Sequence, residues 1–113
     1  MTSYAIGHLH NVTMGDAIVA YLEAIDSTLA PYDGHFVIHG GAKEKLEGPC
    51  RGDLIVIAFP GREAAHAWYR SPAYQAILPL RRHNAQGDVF LIDGVGRDHR
   101  ATDILPAKFR RSA

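Results

Sequence analysis

At 113 residues the chain is one domain, long enough for a single modest core and too short for two. A hydrophobic fraction of 47% with 21% charged residues excludes a disordered tail and a coiled coil. Twelve basic residues balance twelve acidic ones, which argues against a dedicated nucleic-acid binder, where a basic excess is the rule.

In chain order, Tyr4–His10 reads as a first strand. Thr13 followed by Asp16 has the form of a capping box, in which hydroxyl and carboxylate satisfy free amides at a helix start. Ile18, Leu22, Ile25 and Leu29 recur at helical spacing, and Pro31-Tyr32-Asp33-Gly34 ends that helix with turn chemistry. His35–His39 is a second strand, with Gly40-Gly41 a bulge or bend and Lys43–Glu47 a candidate continuation before Gly48-Pro49. The Gly40–Lys43 stretch lacks the Walker pattern and precedes no helix, so a phosphate loop is not read there. Leu54–Phe59 is a third strand, apolar throughout, and Pro60-Gly61 punctuates it. Arg62–Arg70 is an alanine-rich helix with Ala64 and Trp68 one turn apart. Ser71-Pro72 fits an N-cap followed by proline at the first helical position, opening a helix through Leu78, with Pro79 starting a further turn. Asp88–Asp93 holds the fourth strand.

The order β-α-β-β-α-β is the α+β, ferredoxin-like arrangement: a four-stranded antiparallel sheet with its helices on one face and the first and third strands central. The third and fourth strands are apolar on both faces, whereas an antiparallel sheet with one wet face should alternate. Two helices cover one face only, so a second copy of the chain is the expected cover for the other. The domain is placed at residues 1–94. Residues 95–113 form a basic tail: five basic side chains against Asp98 and Asp103 leave +3, and the neutral total puts −3 on the rest. Cys50 is the only cysteine, no basic-and-apolar leader opens the sequence, and no apolar run approaches the ~18 residues of a membrane span. A cytoplasmic protein without membrane contact is expected.

The stretches Tyr4–His8, Phe36–Gly41, Leu46–Gly48, Trp68–Gln75, Leu78–Arg81 and Asp93-Gly94 together resemble a family of small bacterial proteins catalogued as domain of unknown function 1330, in the dimeric α/β-barrel superfamily. The Tyr-x-Ser-Pro-x-Tyr run at Tyr69–Tyr74 is the most specific piece. His99–Leu105 is typical of some members only, and Pro49-Cys50-Arg51 stands where many relatives place an aromatic. The resemblance implies a homodimer in which two four-stranded sheets pack face to face. It supplies no reaction: the wider superfamily includes cofactor-free monooxygenases, muconolactone-type isomerases and haem-handling proteins, and fold alone does not choose among them.

Seven histidines call for weighing. His8 and His10 share a strand face, but no third ligand lies nearby in sequence, and the strand order puts His8 and His39 roughly 9–10 Å apart. No metal site and no cofactor are therefore expected. A ligand pocket is the sharper reading. Gly7 sits inside a central strand, where glycine weakens packing unless something approaches closely, and Ala5 shares its face. Trp68, Tyr69, Tyr74 and Phe59 can supply aromatic walls, with Ser71 nearby. His8, His39 and Arg81 can supply convergent polar groups. The competing reading is that Ala5 and Gly7 merely make room for Trp68. In the pocket reading His39 or His8 is the candidate base, and Arg81 holds a carboxylate or enolate in paired hydrogen bonds. Tyr69 donates to a carbonyl oxygen, while Ser71, kept among the candidate ligand contacts, is fully explained as a helix cap.

Three functions follow. The first is a homodimer that binds a small organic acid between sheet and helices. The second is a cofactor-free monooxygenase- or isomerase-like enzyme with a histidine base. The third is a non-catalytic interaction or stress module that acts through its dimer surface.

Overall fold

A computed structural model describes residues 1–111. The last two positions of the expected basic tail, 112–113, lie outside the described residues. The elements run β1 (Ser3–His10), α1 (Asp16–Leu29), β2 (His35–His39), β3 (Asp53–Phe59), α2 (Arg62–Arg70), α3 (Pro72–Arg82) and β4 (Gln86–Asp93). Short 3-10 turns occupy Ala30–Tyr32, Ala101–Ile104 and Ala107–Phe109. The strands form one antiparallel sheet in the order β2-β3-β1-β4, with β1 and β3 central. This is the ferredoxin-like topology.

Strand alternation sorts the side chains. Ala5 lies opposite Ile57 and Leu91, and Gly7 opposite Ile55 and Val89, so these residues share the face that carries the helices. Ile25, Leu29, Ile57, Phe59, Trp68, Tyr74 and Leu78 form the core between that face and the helices. The opposite face presents Ile38, Leu54, Phe90 and Ile92, which are 43%, 40%, 48% and 48% exposed. Among the described residues these side chains stay exposed on that face.

Local details depart from the sequence expectations at four places. α1 begins at Asp16 after Gly15, without a side-chain cap. The Thr13 amide donates instead to the Asn84 carbonyl at 2.7 Å, which ties this segment to the approach to β4 and delays the helix past a Thr13 cap. Tyr21 is buried on the inner stripe of α1 while Leu22 is 40% exposed. Residues 43–47 do not extend β2. The Lys43 ammonium turns back to the Cys50 and Gly52 carbonyls and closes a loop there. α3 runs through Pro79 to Arg82. Beyond it, the Asn84 side-chain amide donates to the Leu80 carbonyl at 2.8 Å and satisfies one end of the helix.

Candidate functional site

The helical face of the sheet and the three helices enclose a cavity of about 110 Å³. Its floor is Ala5, Gly7, Ile55 and Ile57, and Ile18 and Ile25 of α1 close it from above. A Cβ built on Gly7 would meet Ile55 at 3.8 Å and Leu9 at 3.9 Å, with no atom of Trp68 among its nearest contacts. A side chain at Gly7 would thus make only ordinary contacts on the cavity floor. Leu22 and Val89, both 40% exposed, belong to the same lining, so the cavity side of the fold is not tightly closed.

The aromatic wall is fixed by a short relay of hydrogen bonds. The Trp68 indole N–H donates to Thr28 Oγ1 at 2.9 Å, and that hydroxyl donates to the Ile25 carbonyl at 2.7 Å. Tyr74 packs on Trp68 with ring centres 4.1 Å apart. Tyr74, Leu78 and Arg81 follow one another at steps of four and three along α3 and share a face. From α1, Tyr21 reaches across to that stripe, and its hydroxyl meets that of Tyr74 at 2.8 Å. Both rings are almost fully buried.

Arg81 is the cation among the lining residues, and both phenol oxygens act on its charge. Burial works against its charge, but the two tyrosine oxygens outweigh that effect and hold the guanidinium above its ordinary pKa. Burial, reinforced by Tyr74, pushes the Tyr21 phenol far above the usual tyrosine range. Both groups keep their protons at neutral pH.

His39 reaches this cavity through an irregularity in β2. Phe36 pairs with Ile57 and Ile38 with Val56, so Val37 is an extra residue, a bulge. After it, His39 pairs with Ile55 and lies on the helical face with Phe36. The two rings stack at 4.4 Å with planes 10° apart.

Gly7, His39, Trp68, Tyr74 and Arg81 are thus brought to one cavity. Four of the sequence candidates are not, and of these Phe59 is buried in the core beside Trp68. His8 sits on the opposite face of β1, exposed, with Nε2 2.9 Å from the Arg51 carbonyl oxygen. Strand alternation separates it from Gly7. It borders a polar recess with His10, Arg51 and Asp53 instead. Ser71 is buried at the α2–α3 junction, where Oγ donates to the Trp68 carbonyl at 2.7 Å and accepts from the Tyr74 amide at 3.2 Å. Both capacities are spent on the backbone, so it positions Trp68 and Tyr74 without lining the cavity. Tyr69 packs edge-on against Trp68, at 6.2 Å and 70°, outside the lining. Its place in the helical repeat, one residue after Trp68, turns it aside. The functional group that sequence reading missed is Tyr21. Among the described residues no three His, Cys, Asp or Glu side chains cluster as a metal ion would require.

A family model described as Domain of unknown function (DUF1330) matches residues 2–95. No curated protein matches the chain significantly. Among solved structures, a protein of unknown function from Rhodopseudomonas palustris is 22% identical, over 80% of this chain and 78% of that one, with a TM-score of 0.58. Its methylated form aligns at a TM-score of 0.63 and 18% identity, over 87% and 84% of the two chains. SnoaB, a cofactor-independent oxygenase from Streptomyces nogalater, is 11% identical over 88% of this chain and 98% of its own, with a TM-score of 0.54. At these identities the likeness is one of fold.

Proposed function

The chain belongs to the DUF1330 family, and we propose that in this member the ferredoxin-like fold serves to bind a small organic acid in the cavity between sheet and helices. The observation that carries the reading is the placement of Arg81 in a mostly hydrocarbon cavity that two buried phenols also line. A mostly apolar recess with a few convergent polar groups is the usual form of a small-molecule site. Its volume is of the order of the ~150 Å³ apolar cavity known to take up benzene, so the ligand is about one ring in size. The acting unit in this reading is a homodimer, two chains joined through the exposed apolar sheet face. Ile38, Leu54, Phe90 and Ile92 supply that face.

A thermal-shift screen against aromatic and keto acids tests the reading, because a ligand that binds only the native state raises apparent stability by mass action. Shifts for small monoacids that vanish in Arg81→Gln are the expected result. No shift with any acid at millimolar concentration contradicts it. Light scattering tests the dimer, and a stable monomer at micromolar concentration contradicts that part.

A second reading is favoured by His39. Its imidazole faces the cavity, and a neutral imidazole can take a proton from a carbon beside a carbonyl while Arg81 holds the resulting enolate. This is cofactor-free chemistry of the general kind that the name of SnoaB states for that protein. Substrate turnover that is lost in His39→Ala, with ligand binding retained, supports this second reading. Turnover unchanged in that variant removes the base.

A further inference from the structure

Around the Tyr21–Tyr74 contact this end of the cavity holds more donors than acceptors. Two hydroxyls carry two protons, and the 2.8 Å bond between them uses one. Arg81 brings only N–H groups and accepts nothing. The Trp68 indole N–H is committed to Thr28, and the Thr28 hydroxyl proton to the Ile25 carbonyl. His39 stacks on Phe36 and is not among the groups acting on Tyr21 or Arg81. One phenolic O–H and the guanidinium N–H groups that the phenols do not use therefore remain for an acceptor carried by a ligand. The lining around them, Ile18, Ile25 and Ile57 among it, is hydrocarbon, so the rest of that ligand must be apolar.

We propose that Tyr21, Tyr74 and Arg81 form an anion receptor that selects a monocarboxylate carried on a single-ring body. The inference rests on the ligand-pocket reading and adds to it a class of ligand and two specificity-determining phenols. Arg81 takes the carboxylate in charge-assisted bonds, and the spare phenolic proton supplies a further one. A second carboxylate on the same ring would be buried against aliphatic side chains without a cation, which the site penalises. A neutral amide of the same shape brings N–H donors to a place already rich in donors.

The test uses the full chain with benzoate, benzamide and phthalate, measured by isothermal titration calorimetry for the unchanged protein, for Tyr21→Phe combined with Tyr74→Phe, and for Arg81→Gln. Benzoate binds, and benzamide and phthalate bind roughly ten-fold or more weakly, since a hydrogen bond to a charged group carries about that factor. Replacing both phenols, Tyr21→Phe together with Tyr74→Phe, keeps the shape of the rings, removes the spare O–H, and lowers benzoate affinity about ten-fold and benzamide affinity by less. Either single substitution leaves one hydroxyl with its proton and costs less, and Arg81→Gln tests the cation separately should the double variant fail to fold. Equal binding of benzoate and benzamide, or benzoate binding indifferent to both phenol substitutions, overturns the receptor and leaves the pocket standing. If neither the charged nor the neutral ring compounds bind, the pocket reading falls and the receptor with it.

Discussion

The hydroxyls of Tyr21 and Tyr74 meet at 2.8 Å with their rings edge-on at 71°, so that two phenols join α1 to α3 inside a hydrocarbon wall. Burial holds the Tyr21 phenol in its protonated form well beyond the ordinary tyrosine range, and Tyr74 adds to the effect. A group whose folded-state pKa is raised contributes stability below its unfolded pKa and withdraws it as pH rises through the folded value. The protein should therefore weaken as pH climbs past about 10, the ordinary tyrosine value. Tyr21→Phe should flatten that alkaline loss. Chemical denaturation at a series of alkaline pH values checks this, and identical slopes for the two proteins would contradict it.

Gly7 offers a test in which stability and binding move in opposite directions. A methyl group there would make ordinary contacts with Ile55 and Leu9 at 3.8–3.9 Å, and it would project into the cavity floor. Gly7→Ala should stabilise the fold by about 0.5–1 kcal/mol through the unfolded chain. It should also shrink the thermal shift produced by a ring-sized acid. A stabilised variant with an undiminished ligand shift would place the ligand elsewhere.

Ser71 acts on the site from outside it. Its hydroxyl caps α3 at the Tyr74 amide and ties down the Trp68 carbonyl, so Ser71→Ala removes both restraints. The expected cost is about 1–2 kcal/mol in urea unfolding. Ligand affinity should fall modestly because two wall residues loosen together. A loss of binding without loss of stability would instead mean that the hydroxyl touches the ligand.

The strand order, the helical face and the cavity candidates Gly7, Trp68, Tyr74 and Arg81 are legible in local pattern, because alternation in β1 and β3 and the Ser71-Pro72 cap are short-range signals. His39 reached the cavity for a reason the sequence does not display. By simple alternation it would share a face with His35, and only the Val37 bulge, a property of pairing with β3, turns it toward Phe36. His8 fell out by the same alternation that keeps Gly7 in, since adjacent strand residues face opposite ways. Tyr21 was passed over because the aliphatic residues Ile18, Leu22, Ile25 and Leu29 already made a plausible stripe. The signal was present: Ile18, Tyr21, Ile25 and Thr28 recur at steps of three, four and three and are all buried.

The proposed sheet-to-sheet dimer predicts that charge on the outer face is costly out of proportion to its exposure in one chain. Phe90 and Ile92 are each 48% exposed, and neither is among the cavity-lining residues. An unpaired charge buried at an interface costs roughly 3–5 kcal/mol. Phe90→Asp should therefore raise the dimer dissociation constant by on the order of a hundred-fold or more. Sedimentation equilibrium reads this directly. A Phe90→Asp protein that associates as the unchanged one does would move the contact to another surface.

Trp68 is the only tryptophan in the chain, it lines the cavity, and its indole N–H is held by Thr28. Its fluorescence therefore reports on the proposed site without a label. Titration with cyclohexanecarboxylate, which does not absorb with the indole, should give a saturable change that disappears in Arg81→Gln. A flat or non-saturating response, the same in both proteins, would contradict the claim that this cavity receives a small organic acid.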